Sequence, residues 1–322
     1  MPRLLPFLVF LATLSAQDRL VLPGKSGAGH GKRIVLISGD DEYRSEQALP
    51  QLARILAVRH GFDCTVLFAI DPATGLINPE HHNHIPGLET FDTADLVVML
   101  LRFRDLPDAQ MRHIVDYVEA GRPIVALRTA THAFEIKSSP TYNRWTWNSK
   151  DWDGGFGRQV LGTSWVDHHG QHKVQSTRAV TVDGQAGHPI LRGIASGDIW
   201  VPTDVYGVRL PLPGDSIPLL LGAVLESMDP ASKPVAGRQN EPMLPVAWTK
   251  TYRGGRIFTT TMGSAQDLLN EPFRRLLVNA CYWAAGLETH IPARSDVRLV
   301  GPYNPLPFGF GTYQKGMKVS DV

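Results

Sequence analysis

The chain is short of cysteine, of charge imbalance and of long apolar runs, and each shortage closes a class of function. Only two cysteines occur in 322 residues. Cys64 lies in DCTVLF, a strand-like stretch, and Cys281 in LLVNACYWAA, an apolar helix-like one. Both read as small core residues, and neither as a nucleophile. Thirty-two Lys and Arg stand against 31 Asp and Glu, a formal net charge of +1. There is no basic stripe and no like-charge run, which argues against nucleic acid as a partner. No stretch after the N-terminus is apolar enough to span a bilayer. At the N-terminus, Met1-Pro2-Arg3, the apolar run Leu4 to Leu14 and the small residues Ser15-Ala16 predict an export signal over residues 1–16. The mature chain would then begin at Gln17, be periplasmic or secreted, and not insert in a membrane.

What is present reads as an ordinary globular protein, 43% hydrophobic and 20% charged. Residues 17–31 form a Gly- and Ser-containing leader. Strands are expected at Arg33–Ser38, Asp63–Ala69, Asp95–Leu101 and Pro123–Leu127. Helices are expected from about Ala48-Leu49-Pro50 to His60-Gly61, and from Pro107 to Gly121. Residues 138–215, rich in Trp, Gly, Asn, Asp and His, read as a loop-rich insertion over the cleft. Parallel-type elements return at Pro218–Val224, Leu244–Lys250, Arg256–Thr261 and the helix Pro272–Ala285; residues 293–322 read as a wrapping tail. Alternating strands and helices predict an α/β fold with a doubly wound, mainly parallel sheet. Ligands bind such sheets beyond the carboxyl ends of the strands. That singles out GDDEYRS (39–45), RFRD (102–105) and RTATHAF (128–134).

The third of these loops has the layout of a nucleophile elbow, a buried strand entering a sharp turn. Its apex is Arg128, which stays protonated and cannot attack a carbonyl. The acidic loop Asp40-Asp41-Glu42, followed by Tyr43, suits a cation, sugar hydroxyls or acid–base work, and equally suits a helix entry. Arg102, Arg104 and Arg128 suit recognition of carboxylate, phosphate or polyol, or a salt-bridge network with Asp40, Asp41 and Asp105. Thr129, Thr131 and His132 line the elbow turn. Asp167-His168-His169 and His172 lie in the insertion. On an extended chain only one of His168 and His169 can face a given site. Histidine with carboxylate leaves a divalent metal open, although the spacing matches no zinc signature and no cofactor is required. His81, His82 and His84 read as a solvent-exposed loop. Trp145, Trp147, Trp152 and Trp165 suit a sugar-stacking platform or the core of the insertion.

The segments GDDEYRSEQALPQLARIL, LLRFRDLP, GRPIVALRTATHAF, GGFGRQVLGTSWVDHHGQH, HPILRGI, TDVYGV, PVAWTKTYRGGRIFTTTMG and FRRLLVNACYWAAGLE, in this order, resemble the ThuA-like (trehalose-utilisation) family over residues 32–292. The likeness is greatest to exported members from environmental bacteria such as planctomycetes. The resemblance implies a class I glutamine amidotransferase-like fold, three-layered and flavodoxin-like, and a link to sugar metabolism. It adds Asp204, Tyr206 and the late turn at Ser264 to the site. Related sequences often carry His at the elbow and at the late turn; here Arg128 and Ser264 stand there. A Cys-His glutaminase pair is therefore absent. The set Asp40, Asp41, Glu42, Arg128, His132 and His169 is expected to be catalytic. Tyr43, Arg102, Arg104, Thr129, Thr131, His168, Asp204, Tyr206 and Ser264 are expected to bind substrate, a small sugar or acidic metabolite. A carbohydrate-processing hydrolase or lyase, a catalytically silent binding module and a structural partner are the competing readings.

Overall fold

The computed structural model describes residues 18–322, so the export signal expected over 1–16 lies outside the described residues. Period-two alternation in β2 (Arg33–Gly39) sets the architecture. Ile34 and Leu36 enter one core cluster, Val35 and Ile37 another, because successive strand side chains point to opposite faces. A strand buried on both faces needs helices on both sides. α1 (Ser45–His60) and α3 (Glu271–Ala284) supply Leu49, Leu52, Leu276 and Leu277 to the first cluster; α2 (Asp108–Glu119) supplies Met111, Ile114 and Val118 to the second.

At the centre, β3 (Asp63–Phe68), β2, β6 (Leu96–Leu101), β7 (Ile124–Leu127) and β12 (Gly255–Thr260) run parallel in that spatial order. This is the doubly wound sheet that the strand–helix alternation predicts. β1 (Arg19–Leu22), inside the stretch read as leader, adds an antiparallel edge to β3. On the other flank β11 (Leu244–Tyr252), β10 (Ile217–Leu225), β8 (Ser176–Thr181) and β9 (Trp200–Val201) continue the sheet antiparallel. β4 (Ile70–Asp71) and β5 (Leu76–Ile77) form a separate small hairpin. β10 and β11 thus depart from the parallel-type elements expected there. The reason is a two-residue turn: Arg253 (φ 49°) and Gly254 (φ 85°) are both left-handed, which closes a hairpin between β11 and β12 and leaves no length for a crossover.

α1 starts a turn earlier than expected. Arg44 sits in the left-handed region, and its carbonyl accepts from the amides of Gln47 and Ala48. Pro50 therefore lies inside the helix and forgoes one backbone donor. Gly61 (φ 80°) ends the helix as its sequence suggests. The tail crosses back over this region. Tyr303 Oη donates to the Ala265 carbonyl at 2.7 Å, and the Leu306 amide donates to Gln47 Oε1 at 2.9 Å. No helix among the described residues is long and apolar enough to cross a membrane.

Glu46, in the first turn of α1, is buried with both carboxylate oxygens lacking hydrogen bonds; Arg44 Nε stands 3.8 Å away. Burial pushes its carboxyl up from 4.5 to about 7, with Arg44 opposing. An acid whose folded pKa lies above its unfolded value favours the fold when protonated. Its ionisation therefore erodes stability as pH rises from about 4.5 through about 7. Glu46→Gln should raise stability at pH 8 by up to roughly 3 kcal/mol and change it little at pH 4.5. Urea unfolding of both proteins at the two pH values measures this, and equal effects at both would contradict it.

Candidate functional site

The strand-to-turn junction after β7 is strained, as an elbow requires. Arg128 has φ 39° and opens a short 3-10 turn, Arg128–His132. The side chain is fully enclosed. Its Nη1 donates to the carbonyls of Thr261 (2.8 Å) and Asp204 (3.2 Å); its Nη2 donates to Asp204 Oδ1 (2.8 Å) and Tyr43 Oη (3.0 Å). The rings of Tyr43 and Tyr206 lie on its two faces, with centroids 4.1 and 4.0 Å away. The expectation that Arg128 meets ligand in an open cleft is therefore corrected: protein groups take both Nη atoms and both faces, and only the buried Nε lacks a partner. Tyr43 and Tyr206 likewise spend their rings on Arg128 rather than on substrate.

What Arg128 anchors is Asp204. Burial opposes ionisation of this aspartate, yet Arg128, His168 and His172 hold its carboxyl well below the usual range. Residues 167–170 and 204–207 pair antiparallel: the Gly207 amide donates to the Asp167 carbonyl and the Gly170 amide to the Val205 carbonyl, both at 2.9 Å. This pairing brings His168 Nδ1 to 2.7 Å from Asp204 Oδ2. The turn beyond it carries His172, with Nδ1 3.2 Å from Asp204 Oδ1 and Nε2 3.1 Å from Glu42 Oε1. The two imidazole centroids are 4.5 Å apart. Hydrogen bonds to Asp204, then to Glu42, raise the His172 imidazole to about 9. His169 points the other way, its Nε2 donating to the Gln239 carbonyl at 2.8 Å. The two histidines thus point to opposite sides, and the register places His168 on Asp204 while His169, expected in the catalytic set, turns away.

The acidic loop divides its labour. Asp40 is enclosed, accepting from the amides of Glu42 and Tyr43 and from the Thr129 hydroxyl. Burial, then its neighbour Asp41, pushes its carboxyl up. Asp40 and Thr129 therefore lock the loop to the elbow and face no open space. Asp41 meets Arg102 Nη1 at 3.0 Å and His82 Nε2 at 3.3 Å; burial resists, but these partners lower it to about 2. Arg104 is buried against the carbonyls of Arg102 and His81, an internal tie rather than a ligand contact. Ser264 is enclosed as well: its Oγ donates to Asp267 Oδ1 at 2.8 Å, and Asp267 Oδ2 accepts from the amides of Gly263 and Ser264. It caps the late turn and leaves the substrate set.

His132 remains at the site's wall. Its ring lies 5.0 Å from Phe103, 5.8 Å from Trp165 and 6.2 Å from Tyr206. Nδ1 meets Thr131 Oγ1 at 3.2 Å, and Nε2 bonds to no described residue. Burial, then Arg102 and Arg128, drives its pKa well down and favours the neutral ring. Trp165 also contacts His168, at 6.1 Å. Trp145, by contrast, stacks on Phe156 inside the core. Sequence reasoning missed the tail. Phe308 packs on Tyr43 (5.5 Å) and His172 (5.7 Å), Phe310 lies under Arg102 (4.8 Å), and the Gly309 amide donates to the Glu42 carbonyl at 2.7 Å. The only signal was the alternation Phe308-Gly309-Phe310. A separate groove of about 580 Å³, lined by His188, Leu191 and Arg294 among others, contains none of these residues.

The features together define a glutamine amidotransferase-like α/β protein whose elbow carries no nucleophile. Cys64 and Cys281 are both buried and free, with thiols pushed up by burial. A family model described as ThuA, trehalose utilisation, matches residues 34–284, and the chain belongs to that family. Among solved structures it is similar to a ThuA-like protein from Parabacteroides merdae (20% identity, TM-score 0.49, 79% of this chain and 90% of that one). It is similar also to a ThuA-like protein from Bacteroides uniformis (16%, 0.49, 81% and 94%) and to a cytoplasmic protein from Salmonella typhimurium (13%, 0.42, 81% and 100%). No curated protein matches the chain.

Arg128→Ala would leave the Asp204 carboxylate buried without its cation and empty the space between two tyrosines. A loss of about 3–5 kcal/mol in unfolding free energy is expected. Denaturant unfolding measures it; a change under about 1 kcal/mol would show that Asp204 does not depend on this partner.

Proposed function

We propose that this ThuA-family protein binds a carbohydrate or sugar-derived metabolite beside the His168–His172 pair. It acts on that ligand by general acid–base chemistry, without a covalent enzyme intermediate. The observation that carries the reading is His132: an enclosed imidazole on a wall of Phe103 and Trp165, with Nε2 unbonded to any described residue. An imidazole placed there can exchange a proton with a hydroxyl or an activated C–H of a bound ligand. The flanking aromatic faces suit the apolar faces of a sugar ring. Arg102, held by Asp41 beside this wall and ringed by Phe103 and Phe310, supplies a cation for a carboxylate or keto oxygen. The export signal expected over residues 1–16 makes the working compartment the periplasm or the exterior.

A panel of mono- and disaccharides, native and 3-keto, tested by thermal shift and then for turnover, examines the proposal. At least one should stabilise the protein, and His132→Ala should lose turnover of that compound at least a hundredfold, in line with the usual contribution of an acid–base group. Glutamine should release no ammonia above the blank. A panel without a single hit, or turnover that survives His132→Ala, would sink the catalytic reading. Binding without turnover would favour a silent binding module.

A further inference from the structure

The groups around Asp204 have the composition and orientation of a metal-ligand set. His168, His172 and Asp204 each present one ligand-type atom within 4.8 Å of the others. Both rings turn Nδ1 to the same carboxylate, His168 at 2.7 Å from Oδ2 and His172 at 3.2 Å from Oδ1. The far nitrogen of His172 faces Glu42 Oε1 at 3.1 Å. A ligating imidazole typically donates its other N–H to a carboxylate, which fixes its tautomer and orientation. Glu42 is itself held in place, buried and tied by its carbonyl to the Gly309 amide. Asp204 is fixed from behind by Arg128.

We propose that His168, His172 and Asp204 bind one divalent first-row transition ion, with Glu42 as the carboxylate behind His172. Two imidazoles and one carboxylate are a borderline donor set that suits Zn²⁺, Fe²⁺, Co²⁺ or Mn²⁺. Glu42 and Asp204 set two carboxylates against the imidazole pair. Three protein ligands leave coordination positions open on the partly exposed side of His168, the side shared with Trp165 and, beyond it, His132. The loop histidines 81, 82 and 84 are a weaker competitor. Of these, His82 reaches a carboxylate, Asp41, and that one is already paired with Arg102.

The test reads metal directly and does not depend on the sugar reading. Chelator-treated protein is titrated with Zn²⁺ and with Co²⁺, following metal content, melting temperature and Co²⁺ d–d absorption. About one equivalent should bind and raise the melting temperature, and EDTA should reverse this. Affinity should fall more than a hundredfold in His168→Ala and in His172→Ala, and roughly tenfold or more in Glu42→Gln. Asp204 is left intact because it neutralises Arg128, and circular dichroism confirms that each variant is folded. Less than about a tenth of an equivalent bound, or unchanged affinity in both folded histidine variants, would overturn the proposal. Binding lost instead in His81→Ala or His84→Ala would overturn it too, by moving the ion to that loop. A failed saccharide panel would leave the metal site standing, and an absent metal would leave the sugar reading standing.

Discussion

The ion pair between Arg128 and Asp204 is the contact on which the site depends. Neither side chain has any exposure, so each would be costly alone and the two are stable only together. Their geometry is over-determined: two carbonyls, a phenol and two aromatic faces hold the guanidinium. That support also sustains the left-handed backbone at Arg128, a conformation that costs of order 1–3 kcal/mol and persists only when its surroundings fix it. The pair joins three distant parts of the chain. Arg128 comes from the end of β7, Asp204 from the insertion, and Tyr43 from the loop after β2. Everything that faces the outer side of Asp204 is positioned by this joint.

An arginine at an elbow apex shifts where chemistry can occur. A short nucleophilic side chain would end near the turn itself. The guanidinium instead fills that space and presents its charge to a carboxylate, and the carboxylate presents two imidazoles one layer further out. The two imidazoles thus sit the length of two side chains out from the strand ends, in the insertion. The late turn follows the same logic. Ser264 and the Gly263 amide close on Asp267, and Asp267 in turn accepts from the Thr203 hydroxyl at 2.8 Å, next in sequence to Asp204. The two places where an amidotransferase-like fold would carry its nucleophile and base have become the two ends of one scaffold.

The parallel centre of the fold was legible because its signals are local. Apolar runs such as RIVLIS and DLVVMLL, with Gly61 and Gly121 as stops, report strands and helix ends within a few residues. β11 was misjudged in direction, and with it the pairing of β10, because the turn Arg253-Gly254 lacks the Asn-Gly or Asp-Gly pattern that marks a tight hairpin. In the site, Glu42, His132, His168 and Asp204 could be named from the sequence, but their division of roles could not. Whether Asp40 meets ligand or a hydroxyl of Thr129 depends on packing across 89 positions of chain. The choice between His168 and His169 depends on the register against 204–207, which periodicity narrows to two outcomes and cannot decide. The spacing of His168 and His172 looks uninformative until Asp204 is placed beside them.

The tail completes the argument that the site is assembled from outside the parallel sheet. Pro305 and Pro307 bracket Leu306 and hold the chain extended, without helical alternatives. Gly309, at φ 152° between Phe308 and Phe310, then turns the chain, and its amide holds the Glu42 carbonyl. One ring closes on Tyr43 and His172, the other on Arg102. Arg44, itself in the left-handed region, donates to the carbonyls of both Asp41 and Gly309 and so ties the acidic loop to the tail. The side chains of Glu42, His172 and Arg102 are therefore confined from the sheet side by Arg128 and Asp204 and from the solvent side by two phenylalanines. One wall of this cluster is thus built by the sheet and the other by a segment more than 250 residues away.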